Sequence, residues 1–546
     1  MSENAVVVFH QDSVLVARPD LKGRHSAGNG YFRAHLTALA GDTIHASGHP
    51  TQKGPFETFA RALDPKAKPH WIAPENLRGL GEVGTIMLPA PGLVEPAHLR
   101  GRLGDASYSL VGVTHTTASH RVMDALADVP AAPVMPWDAI ICTSRAVRAT
   151  VETVFAGACE ELSQRLGTNV APPLPQLPVI PLGIHTADFA ADGDERASAR
   201  AALGLAPEDV LLMFVGRLAF HAKAHPHAMY LAAERVARKT DRKIVLLQCG
   251  WFANDHIRDA FVEGAATWCP SVRALFSDGR QPDERRRAFA AADIFVSLSD
   301  NIQETYGLTP VEAMAAGLPC LVTDWDGYRD TVRDGIDGFA IPTMMPAAPF
   351  TEGLALLHEA EATSYDIYCG QSSLTVALDL ARLETALATL VSDASLRRLM
   401  GEAGRARARA LFDWQPVFAR YQALWAELRS TRRELGPKLA RAPGATIRRA
   451  DPARLFATYP TCSLDGSTRV VIVPDAPDVG ALARDRMFAP ALTPVPMAHA
   501  AKLAEASVAM GPASLAELAS RALMPLPAVV LCAALLLKAG VWRREG

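Results

Sequence analysis

A chain of 546 residues is more than one hydrophobic core serves, so two domains and an extension are expected. Hydrophobic residues at 49% and charged residues at 21% are ordinary for a globular protein, and a net charge of −3 removes any whole-chain argument for nucleic acid or an acidic membrane surface as partner. The eight cysteines are scattered, with no C-x-x-C pair and no cluster at zinc spacing. They read as buried thiols of a protein in a reducing cytosol.

The first residues, MSENAVVVFHQDS, run straight into an apolar strand at 5–9 and carry neither the basic nor the apolar region of a signal peptide. Next comes the glycine-rich stretch SAGNGYF at 26–32, read as a turn in which Gly28 and Gly30 let the backbone approach a phosphate; a plain turn is the alternative. Strands are expected at 84–88, 109–113 and 138–144. The second of these ends in Thr114-His115-Thr116-Thr117, which sets His115 just past a carboxyl end, where ligands of parallel sheets bind. Ser144 then caps a helix over 145–155. The proline-rich stretch 167–178 cannot be regular structure, and a domain boundary is placed in the acidic run 188–196.

A second α/β domain follows, with strands expected at 210–215, 243–248, 293–297 and 318–323. Gly216-Arg217-Leu218 ends the first of them, with Lys223 six positions beyond the arginine. Between the third and fourth lies ETYGLTPVE, which sets Glu304 and Glu312 eight positions apart with Gly307 between them and an apolar helical run after. A helix N-terminus here presents backbone N–H groups to an anion, and the carboxylates suit sugar hydroxyls. The alternative is a pair of solvated glutamates favoured by the helix dipole, as it is two exposed cations for Arg217 and Lys223. If the sheet is parallel, all four face one cleft and outline a nucleotide-sugar site.

These segments resemble the family 4 glycosyltransferases, retaining enzymes of the two-domain GT-B fold. The resemblance rests on VIPLGI (179–184), FVGRLAFHAK (214–223), ETYGLTPVEAMAAGLPCLVTD (304–324), WDGYRDTVRDGIDGF (325–339) and SLRRLMGEAGRARA (395–408), and covers about residues 1–430. It implies two Rossmann-like α/β domains facing across a cleft: residues 1–190 on the acceptor side, 191–411 binding the nucleotide sugar, and 412–428 a helix crossing back to the first domain. By the same resemblance Arg217 and Lys223 stabilise the departing diphosphate, Glu304 and His115 reach the donor sugar, and Glu312 holds the ribose. Gly307, Leu308 and Thr309 offer backbone amides to the phosphates, and Gly28 and Gly30 border the site.

The implied activity is hexosyl transfer with retention, from a nucleotide-sugar donor to a sugar, lipid, small-molecule or protein acceptor. No metal and no cofactor are expected, since two cations serve where other transferases use a D-x-D-bound ion. The implied place is the cytoplasm, with peripheral contact at the inner membrane face left open. Two alternatives are weighed: a non-catalytic sugar-nucleotide binder, against which the joint presence of Arg217, Lys223, Glu304 and Glu312 argues, and a phosphorylase, for which no pyridoxal-phosphate lysine motif appears.

The sequence departs from the family in Ala224 after the lysine, in Tyr306 where phenylalanine is common, and in a long segment at 344–375. It also continues beyond the family's usual end. Residues 429–454 read as a basic linker, and 455–546 as a small helical module with a strand at 469–473 and helices at 498–510, 514–522 and 527–539. Those helices weakly resemble a winged-helix module; a helical cap or an oligomerisation element is the competing reading, and nucleic acid is not the expected partner. The apolar stretch 524–542 contains Pro525, Pro527 and Lys538 and reads as a buried helix rather than a membrane span.

Overall fold

The computed structural model describes residues 4–16, 23–240, 242–444 and 446–545; the first three residues, which enter the reading of the N-terminus, lie outside them. The chain forms two units, Met1–Thr446 and Ile447–Gly546.

In the first unit the apolar runs become two parallel sheets. The strands β1 (Val6–Val8), β2 (Thr43–Ser47), β3 (Lys68–Trp71), β4 (Thr85–Met87), β5 (Ser109–Val113) and β6 (Ala139–Ile141) pair in the order β3-β2-β1-β4-β5-β6, all parallel. β5 is buried at every position, as a parallel strand covered on both faces requires. The strands β7 (Val210–Leu218), β8 (Ile244–Phe252), β9 (Arg273–Asp278), β10 (Ile294–Ser297), β11 (Cys320–Thr323) and β12 (Gly338–Ile341) pair in the order β12-β11-β10-β7-β8-β9, again all parallel.

Both orders are doubly wound, so the two Rossmann-like domains expected from the sequence are the observed ones. In each sheet the winding reverses beside the first strand, between β1 and β4 and between β7 and β10. The crevice at the carboxyl ends of such a pair is where this architecture binds ligands. β2, β3 and β9 were not among the expected strands. β3 and β9 each lie at one edge of a sheet and have no buried position, and β3 contains Pro69, so neither shows the continuous apolar run of a central strand.

Asp413 caps the helix Trp414–Leu439, which lies on the first domain and buries Val417, Tyr421 and Trp425 in the core that holds Tyr31. This helix was expected to end at 428 and runs eleven residues further. The basic stretch 429–454, whose first eleven residues are the end of this helix, is not a solvated linker. Arg432 donates to the Gly84 carbonyl and to Ser109 Oγ (2.8 Å), and Arg441 meets the buried carboxylate of Asp105 at 2.8 Å. A carboxylate without water needs a cation beside it, and Arg441 supplies one. A second buried pair, Arg100 with Asp138, is fully enclosed; Asp138 also accepts from the Leu110 and Met135 backbone N–H groups.

The second unit has its own apolar core, including Leu503, Leu515, Leu518, Val529, Leu536 and Trp542. Its helices are Met497–Val508, Leu515–Ala522 and Leu526–Lys538, and a three-stranded antiparallel sheet of β15 (Arg469–Ile472), β16 (Ala513–Ser514) and β17 (Trp542–Arg544) joins them. The strands β13 and β14 belong to the first unit and are described with the inserted segment below. Ser514 and Glu517 form a capping box at the second helix. Among the described residues no helix is long and apolar enough to cross a membrane, and the last two helices, which reach that length only together, bend by 114° at their junction. Such a bend is that of a helix-turn-helix pair. The exposed positions of the third helix include Leu526, Leu531 and Lys538, a face with little charge to offer phosphate. Of the cysteines expected to be buried, Cys159 is half-buried and Cys462 exposed.

Candidate functional site

The crevice between β7 and β10 collects the charged residues. Arg217 is the penultimate residue of β7, and its guanidinium reaches the Ala222 carbonyl at 3.4 Å. Lys223 follows in a turn closed by its own N–H on the Ala219 carbonyl (2.9 Å). The loop after β10 brings Glu304 opposite, and Lys223 Nζ donates to Glu304 Oε2 at 2.9 Å. Burial alone would raise the Glu304 carboxyl, but Lys223 and the backbone N–H groups of Thr305 and Tyr306 outweigh it and hold its pKa below the usual value. Glu304 is therefore a carboxylate at neutral pH, ready to accept from a hydroxyl.

The loop is fastened on both sides. Thr305 Oγ1 donates to the His115 carbonyl at 3.2 Å, which ties it to the segment after β5. Gly307 has φ +80°, and a Cβ there would lie 2.1 Å from the Tyr328 ring, so both conformation and space demand glycine. Gly307 leads into the helix Leu308–Ala316. The first N–H groups of a helix have no partner within it, and the dipole adds partial positive charge, so this end of the crevice suits an anion.

One turn further, Glu312 is 5% exposed and paired with Arg285, which comes from the neighbouring helix Pro282–Ala291. The cleft these groups line has two adjoining chambers, of about 370 and 700 Å³, which share Ser26, Gly279, Arg285, Leu308 and Glu312. A chamber with cations and a helix terminus at one wall and carboxylates beside them can hold a diphosphate between its charged groups and hydroxyls on its carboxylates.

Residues 195–366 match the family model described as Glycosyl transferases group 1. The D-inositol 3-phosphate glycosyltransferase of Nocardia farcinica (strain IFM 10152) is 35% identical over 149 residues, 27% of this chain and 32% of the relative. The protein of the same name from Mycolicibacterium gilvum (strain PYR-GCK) is 31% identical over 240 residues, 44% of this chain and 51% of the relative. The chain thus spans a third to a half of the length of these relatives. Among solved structures, Anabaena HepE in complex with UDP and glucose aligns with a TM-score of 0.48 at 15% identity over 78% of this chain and 100% of its own. A glycosyltransferase from Rickettsia africae aligns with 0.49 at 11% identity over 78% and 98%.

In the second domain the crevice brings together Arg217, Lys223, Glu304, Gly307, Leu308, Thr309 and Glu312, and His115 of the first domain lines the same chamber. The two glycines of the first domain require correction. Gly28 and Gly30 lie within the helix Gly23–Leu39, not in a turn. Gly30 lines the larger chamber; Gly28 lines neither. Their smallness serves packing, since a Cβ on Gly28 would meet the Ser13 carbonyl oxygen at 2.2 Å and one on Gly30 the Trp414 indole nitrogen at 2.5 Å.

Two residues of the cleft, Arg285 and Tyr365, and a third close enough to Glu304 to feel its charge, Asp326, are absent from the sequence expectations. Arg285 lies 27 positions from Glu312 on another element, a spacing with no local meaning. Asp326 has φ +44° and accepts from Ser144 Oγ at 3.4 Å; burial first, and then the charge of Glu304, push its carboxyl up to about 8. The Asp-Gly step within WDGYRD is a signal for that left-handed turn and marks Asp326 in retrospect. Tyr365 enters the smaller chamber from the inserted segment. Among the described residues no group of three or more His, Cys, Asp or Glu side chains is placed to hold a metal ion.

Proposed function

We propose that the protein is a retaining glycosyltransferase that moves a hexosyl group from a nucleotide-sugar donor to an acceptor hydroxyl without a metal ion. The observation that carries this reading is the convergence of Arg217, Lys223 and the first turn of the Leu308–Ala316 helix on one chamber whose other wall holds Glu304 and Glu312.

The diphosphate of the donor lies against Arg217, Lys223 and the amides at Gly307, Leu308 and Thr309, and Glu312, oriented by Arg285, accepts from the ribose hydroxyls. Glu304 exchanges its Lys223 partner for a hydroxyl of the sugar, with His115 across the cleft at the same sugar. As the bond from the anomeric carbon to the phosphate oxygen breaks, negative charge grows on the leaving diphosphate, where two cations and fixed amide dipoles already stand. Preorganised electrostatics of this kind is commonly the largest contribution to a lowered barrier. The acceptor hydroxyl attacks on the face from which the diphosphate departs and passes its proton to the departing phosphate oxygen, so no side-chain nucleophile is needed and the anomeric configuration is kept. The relatives' name, D-inositol 3-phosphate glycosyltransferase, is consistent with glycosyl transfer.

Thermal-shift measurements on the whole chain with UDP, GDP, ADP, UDP-glucose, GDP-mannose and ADP-glucose test the reading. Binding stabilises by RT ln(1+[L]/Kd), about 2.7 kcal/mol at a hundredfold excess over Kd, so one nucleotide series should raise the midpoint by several degrees. No shift with any of the six would sink it.

A further inference from the structure

The segment at 344–375 that sets this chain apart from its family resemblance is built as a strap. Its ends are joined by β13 (Thr343–Met344) and β14 (Ala377–Leu378), which pair antiparallel, and between them stand the helices Glu352–Glu359 and Tyr365–Ser373. The strap crosses to the first domain. The His358 ring is sandwiched between His120 of that domain, with centroids 3.7 Å apart and planes 11° from parallel, and Tyr368 of the strap itself, at 4.0 Å and 3°. His120 Nε2 also donates to the His358 carbonyl at 2.6 Å. On its inner side the strap is held by Asn301, whose amide donates to the His221 carbonyl (2.9 Å) and, at 3.5 Å, to that of Cys369.

This fastening aims one side chain into the cleft. Tyr365 is the first residue of its helix, which Ser364 caps, and it lines the smaller chamber together with His115, Thr116, Arg217, Lys223 and Glu304. Its phenol oxygen is 3.5 Å from Thr116 Oγ1, at the outer limit of a hydrogen bond, and its other polar neighbour is the Cys369 thiol, a weak acceptor. Burial pushes the phenol's pKa upward, so it stays protonated and keeps a proton to donate. Arg285 and Glu312 line both chambers, whereas Tyr365, like Glu304 and His115, lines only the smaller one, which groups the phenol with the residues assigned to the sugar.

We propose that Tyr365 is a substrate-binding residue that donates a hydrogen bond to a hydroxyl of the donor's sugar, and that the His120–His358–Tyr368 stack holds the strap so that it can. The inference rests on the reading of the cleft as a nucleotide-sugar site. Its experiment compares the affinity of the whole chain for a nucleoside diphosphate and for the matching sugar conjugate, taking the pair that stabilises it most among UDP with UDP-glucose, GDP with GDP-mannose and ADP with ADP-glucose. Tyr365→Phe removes one oxygen and should leave the bare nucleotide within about twofold while weakening the conjugate about tenfold. His120→Ala, which removes no residue of the cleft lining, should loosen the strap and produce a smaller loss of the same selective kind. Equal weakening of both ligands, or of neither, in Tyr365→Phe overturns the inference and leaves the proposed function standing. Failure of all three pairs to bind the wild-type chain defeats that function and the inference with it.

Discussion

At the carboxyl ends of its strands the second domain sets charge: Arg217 at the end of β7, Lys223 just beyond, Glu304 after β10 and Glu312 on the helix that follows. The first domain, with the same winding, lines the smaller chamber with Ser26, His115, Thr116 and Ser119, groups that exchange hydrogen bonds and bring no fixed charge. Its strongest ion pair, Arg100 with Asp138, is sealed away from the cleft with neither side chain exposed. One scaffold therefore serves two purposes, and the loops at the strand ends decide which. In the proposed reading, the second domain's charges meet the diphosphate and ribose, and the uncharged groups that the first domain brings to the smaller chamber face the sugar; in the larger chamber the first domain also sets the Arg33–Asp188 ion pair.

The sharpest contrast is between the two sets of ions. Asp138→Ala would strand the Arg100 guanidinium without water or counter-ion, and equilibrium unfolding should show a loss of about 3–5 kcal/mol. A loss under 1 kcal/mol would show that the first domain's pair is dispensable. In the second domain the order of effects reverses. Arg217→Ala should leave the melting temperature nearly unchanged while turnover falls by about 10²–10³, as it does when one preorganised donor is removed from a developing negative charge; Lys223→Ala should cost as much in turnover and also some stability, because Glu304 loses its counter-ion. Near-normal turnover in either variant would contradict the role given to the cations.

A smaller effect separates the ends of the cleft. Glu312→Gln keeps the shape and removes the charge that Arg285 holds, so affinity for the bare nucleoside diphosphate should fall about tenfold by calorimetry. The smallest effect concerns pH. Asp326 is pushed up to about 8 and Asp300 to about 7 from an ordinary value of 3.8, in both cases chiefly by burial. The folded chain then binds more protons than the unfolded one across that interval, and stability declines as pH rises from about 4 towards 8. Asp326→Asn removes one of the two contributions, so its melting temperature should gain on the wild type between pH 5 and pH 8. Parallel melting curves across that range would remove Asp326 from the account.

What the sequence showed of this site follows from how each residue is placed. Arg217, Lys223, Glu304, Gly307, Leu308, Thr309 and Glu312 sit at short spacings on a strand end, a loop and a helix start, where local chemistry and chain position give the same message. Gly28 and Gly30 misled because the demand for glycine there comes from Ser13 and from Trp414, which is distant in sequence, and not from a turn. The strands β3 and β9 carry too little apolar pattern because no position of either is buried. Arg285 and Tyr365 reach the cleft from separate elements, and no spacing announces them. The basic run after residue 428 was taken for a linker because its partners, Asp105 and the Gly84 carbonyl, lie more than three hundred residues earlier.

The division of labour between the two domains is tested most directly by titrating the whole chain with the nucleoside diphosphate that stabilises it most, in the wild type and in Arg217→Ala, Glu312→Gln and His115→Ala. The account predicts that the two variants of the second domain bind about tenfold or more weakly and that His115→Ala binds like the wild type. Equal affinity in all four, or a loss confined to His115→Ala, would contradict it.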